Sequence, residues 1–198
     1  MPADPVFSGR GACPTMVDIN PSVVLQEIED VFHQGFSGGE ELIQALTVAQ
    51  KVVAFGAGRV GLATAAFAKR LGHLGKEAYW LNDHTVPRTE AGDLFLAVSG
   101  SGKTETVLAA VRRAKKVGLR IVLVTANGTS PMAEISDDVV LFKGPATRPL
   151  APRWHSVQPM TSLFEQVILI FFDSVVLSLQ DHWRISSGEM EERHNVIE

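Results

Sequence analysis

Between Lys51 and Phe142 the chain repeats one pattern, a short apolar run of strand length followed by a stretch of different character. The runs are 52–55 (Val-Val-Ala-Phe), 78–81 (Ala-Tyr-Trp-Leu), 94–98 (Leu-Phe-Leu-Ala-Val), 121–125 (Ile-Val-Leu-Val-Thr) and 139–142 (Val-Val-Leu-Phe). Strands apolar at every position, rather than at alternate ones, are buried on both faces, as in a parallel sheet. Residues 61–74 and 104–117 have helical apolar spacing, and they stop at Gly75 and Gly118, where a helix C-cap is expected. Strands alternating with helices predict a doubly wound α/β fold, a three-layer αβα sandwich. Flanking this core, Asn20-Pro21 reads as an N-cap with proline at the first helical position. Ser37 and Glu40 fit a capping box ahead of a second helix carrying Leu42, Leu46 and Ala49. Residues 144–160 contain four prolines and predict a long loop, followed by a very apolar helix over 162–183. Residues 1–18 read as a loose arm, and 19–198 as one domain.

Composition narrows the function classes. A formal charge of −4 argues against a nucleic-acid binder, although it leaves room for a local anion pocket. The single cysteine, Cys13, excludes an intrachain disulfide and fits a reducing compartment. The first residues lack the apolar core of a secretory leader. The apolar run beginning at Val167 is broken by Asp173 and Ser174, and a membrane span needs about 20 mostly apolar residues. The expectation is a cytoplasmic protein with no membrane partner, whose last long helix is buried in a core or between subunits.

Two turns carry the chemistry. Gly56-Ala57-Gly58-Arg59-Val60-Gly61 follows a strand, opens a helix and matches the dinucleotide fingerprint G-x-G-x-x-G, with Asp83 near the ribose-binding position. Ser99-Gly100-Ser101-Gly102-Lys103-Thr104 follows the third strand and ends like half of a P-loop. The full P-loop needs a glycine where Ala97 stands inside a predicted strand, so an ATPase grip does not fit. Hydroxyls, backbone amides and a helix N-terminus together suit a phosphate dianion. A dinucleotide fold already holds its pyrophosphate on the first turn, so the second turn favours a different phosphate ligand. The plainer reading is a solvated capping sequence, because helix starts prefer the same residue types.

The segments "GAGRVGLATAAFAKRLGHLG", "GDLFLAVSGSGKTETV" and "VTANGTSPMAEISDDVV" resemble the sugar isomerase (SIS) domain, and "QPMTSLFEQ" with "MEERHNVIE" resembles its 6-phospho-3-hexuloisomerase branch. The resemblance implies a five-stranded parallel sheet flanked by helices and a homodimer or homotetramer. It also implies isomerisation of D-arabino-hex-3-ulose 6-phosphate to D-fructose 6-phosphate, beside a formaldehyde-fixing synthase, with no metal and no redox cofactor. On this resemblance Glu165 is the base, although Ser162-Leu163-Phe164-Glu165 is also a capping-box pattern. His73 and His194 are the further acid/base candidates, with His194 reaching a pocket of its own or a neighbouring subunit. Gly58, Arg59, Ser99, Gly100, Ser101, Gly102, Lys103 and Thr104 are the phosphate- and sugar-binding candidates. Two residues depart from the family pattern: Lys103 replaces an acidic residue and Val60 a serine. The alternatives are another SIS-type aldose–ketose isomerase, or a non-catalytic sugar-phosphate-binding protein.

Overall fold

The computed structural model describes residues 20–143 and 156–197. The proposed arm at 1–18 and most of the loop at 144–160 lie outside them. In chain order the elements are α1 (Pro21–Gln34), β1 (Phe36–Ser37), α2 (Gly39–Val48), β2 (Lys51–Gly56), α3 (Gly58–His73), β3 (Glu77–Trp80) and β4 (Leu94–Val98). They continue with α4 (Glu105–Val117), β5 (Arg120–Thr125), α5 (Pro131–Ile135), β6 (Asp138–Phe142), α6 (Ser162–Trp183) and α7 (Ser187–Glu192). The sheet order is β1-β6-β5-β4-β2-β3. The five apolar runs form its five parallel strands, each within a residue or two of the predicted bounds.

Side chains alternate across these strands and fill two cores. Val52, Ala54, Leu96, Val98, Val122 and Val140 face α1, α2, α3 and α6. Val53, Phe55, Phe95, Ala97, Ile121 and Leu123 face α4 and α5. Burial on both faces is what continuous apolar runs demand, and it makes the sandwich three-layered.

The sheet has a sixth strand that the apolar pattern does not announce. Phe36 and Ser37 pair antiparallel with Phe142 and Leu141 of β6. Phe36 is fixed there by ring contacts with Phe142 and Phe171, with centroids 5.4 and 5.0 Å apart. This pairing removes the expected capping box. Ser37 lies in the ladder, and the N-cap of α2 is Gly38, with φ +84° and no side-chain cap. A Cβ at Gly38 would sit 2.2 Å from the carbonyl oxygen of Val139, so the crossing of α2 over β6 admits only glycine.

The apolar helix α6 is long and apolar enough to cross a membrane by length and composition. Its contacts define it instead as a core helix: Phe172 stacks on Phe67 of α3 at 4.2 Å, and Val167, Ile168 and Leu179 are buried. Leu169, Ile170 and Leu177 remain exposed on its outer side.

Candidate active site

After β2 the sheet is extended on one side by β3 and on the other by β4, then β5 and β6. The order therefore reverses between β2 and β4, and ligands of doubly wound sheets bind in the crevice outside the carboxyl ends at such a switch point. Gly56 pairs with Val98 in register, so the two glycine-rich turns leave the sheet side by side. That juxtaposition builds the site.

The first turn serves packing as well as ligand approach. A Cβ on Gly61 would lie 2.6 Å from the carbonyl oxygen of Gly56, so only glycine lets α3 start this close to β2. Val60 packs against the core on the α3 side, which explains an apolar residue where a hydroxyl was expected. Gly58 opens α3, and Arg59 follows with a side chain 61% exposed. Asp83 does not wait for a ribose, since it accepts the N–H and O–H of Thr85 at 2.9 and 2.8 Å. Those two hydrogen bonds hold its carboxyl below the usual aspartate value.

In the second turn every carbonyl from 99 to 102 is tied back to protein. Ser99 O accepts Gly102 N–H at 3.1 Å. Gly100 O accepts Ala126 N–H and the Thr125 hydroxyl, each at 3.2 Å. Ser101 O accepts the Asn127 amide at 3.1 Å, and Gly102 O accepts Met132 N–H at 3.3 Å. A peptide's N–H points opposite its C=O, so anchoring Gly100 O inward turns the amide of Ser101 outward, as in an anion-binding nest, whereas the amide of Lys103 is taken up within the loop. Gly102 sits at φ +63°, and a Cβ there would lie 2.0 Å from Ser130 Oγ. The hydroxyls divide between tasks. Ser99, 4% exposed, meets Thr104 Oγ1 at 3.0 Å and accepts Gly102 N–H at 3.2 Å, so it holds the loop's shape. Ser101 is half-buried and caps Lys103 N–H at 3.2 Å. Thr104 is the N-cap of α4 but makes no side-chain capping bond. Lys103 is exposed at the loop's rim.

Glu165 stands in the first turn of α6, its side chain only 12% exposed. The capping-box reading fails here too, because the N-cap is Thr161 and Ser162 N–H donates to Pro159 O at 3.3 Å. The carboxylate is instead held by side chains. Thr161 Oγ1 donates to Oε1 at 2.7 Å, and Arg59 Nη1 lies 3.0 Å from Oε2 in an ion pair outside hydrogen-bond geometry. The same Nη1 donates to Ser162 Oγ at 3.2 Å. Arg59 thus ties the first glycine turn to Glu165. Thr161, Thr125 and Asn127 were not singled out by the sequence reading; each stands inside a quoted motif, but only the fold shows which atoms they hold.

His73 and His194 lie elsewhere. His73 is 5% exposed in the last turn of α3, and its ring centroid is 5.2 Å from that of exposed His194. Arg59 and His73 are 14 residues apart on one helix, about 21 Å at 1.5 Å per residue, so one chain does not bring the histidines to Glu165. Their partners assign the tautomers. Arg70 Nη1, which can only donate, is 3.3 Å from His73 Nδ1, so neutral His73 carries its proton on Nε2. His194 Nδ1 is 3.0 Å from the carbonyl of Asn195, which can only accept, so Nδ1 carries a proton. Arg193 donates to His73 O at 3.2 Å, which folds the tail over the end of α3. Among the described residues no cluster of three or more His, Cys, Asp or Glu could hold a metal ion.

Two glycine-rich turns and a little-exposed carboxylate meet at the switch point of a doubly wound sheet, the place where such sheets take their ligands. The SIS domain family model matches residues 45–170, and the chain belongs to that family. It is 40% identical to the 3-hexulose-6-phosphate isomerase of Mycobacterium gastri, over 75% of this chain and 74% of that protein. It is 32% identical to the 3-hexulose-6-phosphate isomerase of Methylomonas aminofaciens, over 89% and 97%. A crystal structure of a Methanococcus jannaschii protein, described as inferring a 3-hexulose-6-phosphate isomerase function, superposes with a TM-score of 0.75 at 28% identity, covering 88% of this chain and 97% of that one.

Proposed function

We propose that this chain is a phosphosugar isomerase that interconverts D-arabino-hex-3-ulose 6-phosphate and D-fructose 6-phosphate through a 2,3-enediol. The observation that carries the reading is Glu165, a little-exposed carboxylate held at both oxygens beside a phosphate-type nest. Similarity to the two named isomerases over most of the chain points to the same substrate. Moving the carbonyl from C3 to C2 requires taking a proton from C2 and delivering one to C3. Glu165 takes the first proton and returns one on the same face. Thr161 fixes Oε1, leaving the carboxylate one orientation. Ser101, Thr104, Lys103 and the amides at the start of α4 hold the distant phosphate dianion, so that remote binding energy orients the reacting carbons. Arg59, its side chain 61% exposed, holds a sugar hydroxyl or a phosphate oxygen. No residue here needs a metal or redox cofactor for this proton transfer.

Hydroxyl protons must also move between O2 and O3, and a group doing so has to come within hydrogen-bond reach of them. His73 and His194 are too far away in their own chain, so they serve the crevice of a neighbouring copy. A homodimer or homotetramer supplies that geometry. The apolar groove between α1, α2 and α6, about 590 Å³ and lined by Phe32, Phe36, Ile43 and Val48, gives a second copy a surface to cover. Residues 19–198 act as one domain, in the cytoplasm, within a sequence that fixes formaldehyde for assimilation or detoxification. A coupled assay tests the activity: formaldehyde, ribulose 5-phosphate and a synthase are supplied, and fructose 6-phosphate is followed. Product above the synthase-only rate supports the reading; none at micromolar protein refutes it.

A further inference from the structure

Glu27, midway along α1, grips the segment that leads into α6. Its Oε1 accepts Val157 N–H at 2.8 Å, and its Oε2 accepts the Ser156 hydroxyl and the Gln158 side-chain amide, each at 3.0 Å. Ser156 Oγ in turn accepts Gln158 N–H at 3.0 Å, which closes the clamp. A carboxylate is an acceptor at both oxygens, so it alone among side chains of this length satisfies three donors arriving together.

The clamp continues into the site. Pro159 O accepts Ser162 N–H at 3.3 Å, forming a turn in which Met160 has φ +56° and is 90% exposed. A non-glycine residue in the left-handed region persists only when its surroundings over-determine it. Met160 gains nothing from burial, so the restraint comes from either side: Glu27 before it and α6 after it. The next residue is Thr161, whose hydroxyl meets Glu165 Oε1 at 2.7 Å.

We propose that Glu27 is a positioning residue for Glu165, acting through residues 156–160 to set the Thr161 hydroxyl against the catalytic carboxylate. The inference rests on the reading of Glu165 as the base. Arg59 fixes α6 from the α3 side, and Glu27 fixes its entry from the α1 side. A purely structural anchor would lower stability and leave turnover per folded molecule alone. A positioning residue changes kcat and spares phosphate binding.

The test is a double-mutant cycle with Glu27→Gln and Thr161→Val, alongside Glu165→Gln. Gln places an NH2 against one of the three donors while keeping volume and helix propensity. Misplacing a reacting group by up to an ångström costs up to about 10²-fold, so E27Q should lower kcat by roughly tenfold or more. KM, and competitive inhibition by inorganic phosphate, should change less than about twofold, because interactions lost only in the transition state lower kcat alone. The E27Q/T161V double variant should be no slower than T161V, since both act through one hydroxyl. If E27Q does not fold, Gln158→Met removes one clamp bond from the other side and should lower kcat in the same way. An E27Q kcat at the wild-type level with E165Q inactive overturns this inference and leaves the isomerase reading standing, and so do additive effects in the cycle. If E165Q itself keeps full turnover, the base reading falls, and a crystal structure of E27Q decides the positioning claim. There, an undisturbed Thr161–Glu165 hydrogen bond overturns it, and a broken one supports it.

Discussion

Gly102→Ala should damage the phosphate loop twice over. The residue sits at φ +63°, and the added methyl would lie 2.0 Å from Ser130 Oγ and 2.4 Å from Ser130 Cβ. The left-handed conformation costs an alanine about 1–2 kcal/mol, and forcing a methylene into a filled space typically costs about 1–3 kcal/mol. Together they reach roughly 2–5 kcal/mol, and at about 2–4 °C per kcal/mol for a chain of this size the melting temperature should fall by roughly 4–20 °C. Ser130 is buried and is the N-cap of α5, its hydroxyl accepting Ala133 N–H at 3.3 Å, so it cannot simply turn away. The loop must give instead, which spoils the nest and raises KM for the phosphosugar several-fold with a smaller change in kcat. Ser130→Gly removes both clashing atoms at a capping cost of only about a few tenths of a kcal/mol. The G102A/S130G variant should therefore recover the steric share and retain the conformational one. Differential scanning calorimetry and steady-state kinetics check both halves. A G102A protein that melts and binds like wild type would refute the close packing of the two loops.

Ser101→Ala removes the hydroxyl that caps Lys103 N–H in the proposed binding loop; it should raise KM more than it lowers kcat, and the reverse pattern in initial-rate kinetics would remove Ser101 from that loop. Asp137 offers a pH test. Burial pushes its carboxyl up, but hydrogen bonds from Lys115 and Ile121 N–H, with the charges of Lys115 and Arg120, outweigh this and hold it below the ordinary 3.8. A carboxyl depressed in the folded state stabilises above its unfolded value and loses that contribution as pH falls through the folded one. Asp137→Asn should thus melt lower than wild type at about pH 7 and converge with it near pH 2; an equal gap at both ends would contradict the assignment. The protein should sediment as a dimer or tetramer at micromolar concentration, and a stable monomer would leave His73 and His194 without a crevice to serve.

The fold was legible wherever burial is two-sided. Five continuous apolar runs leave little choice but parallel strands between helical layers, and Gly61 and Gly118 mark a close approach and a left-handed cap that side chains oppose. Phe36–Ser37 was not legible, because a two-residue edge strand has no periodicity and is set by aromatic contacts distant in sequence. For the same reason neither capping-box pattern, Ser37–Glu40 or Ser162–Glu165, forms; a local pattern yields when a neighbouring strand or turn takes the donor. Of the site, both glycine turns and Glu165 were readable as motifs. The holding atoms were not: Asn127 and Glu27 act across the fold, where spacing along the chain carries no signal, and Thr161 meets Glu165 only because α6 starts at Ser162. For the histidines the sequence left open whose crevice they would serve, and only the length of α3 reveals their distance from Glu165 of the same chain.

The account turns on Glu165 moving the proton between C2 and C3. With fructose 6-phosphate in D2O, deuterium arriving at C3 reports that step directly by NMR or mass spectrometry. Wild type should exchange readily. Glu165→Gln keeps an oxygen for the Thr161 hydroxyl and should leave melting nearly unchanged, while its exchange rate falls about 10²-fold or more, the usual contribution of a positioned general base. Exchange by Glu165→Gln at the wild-type rate would contradict the account.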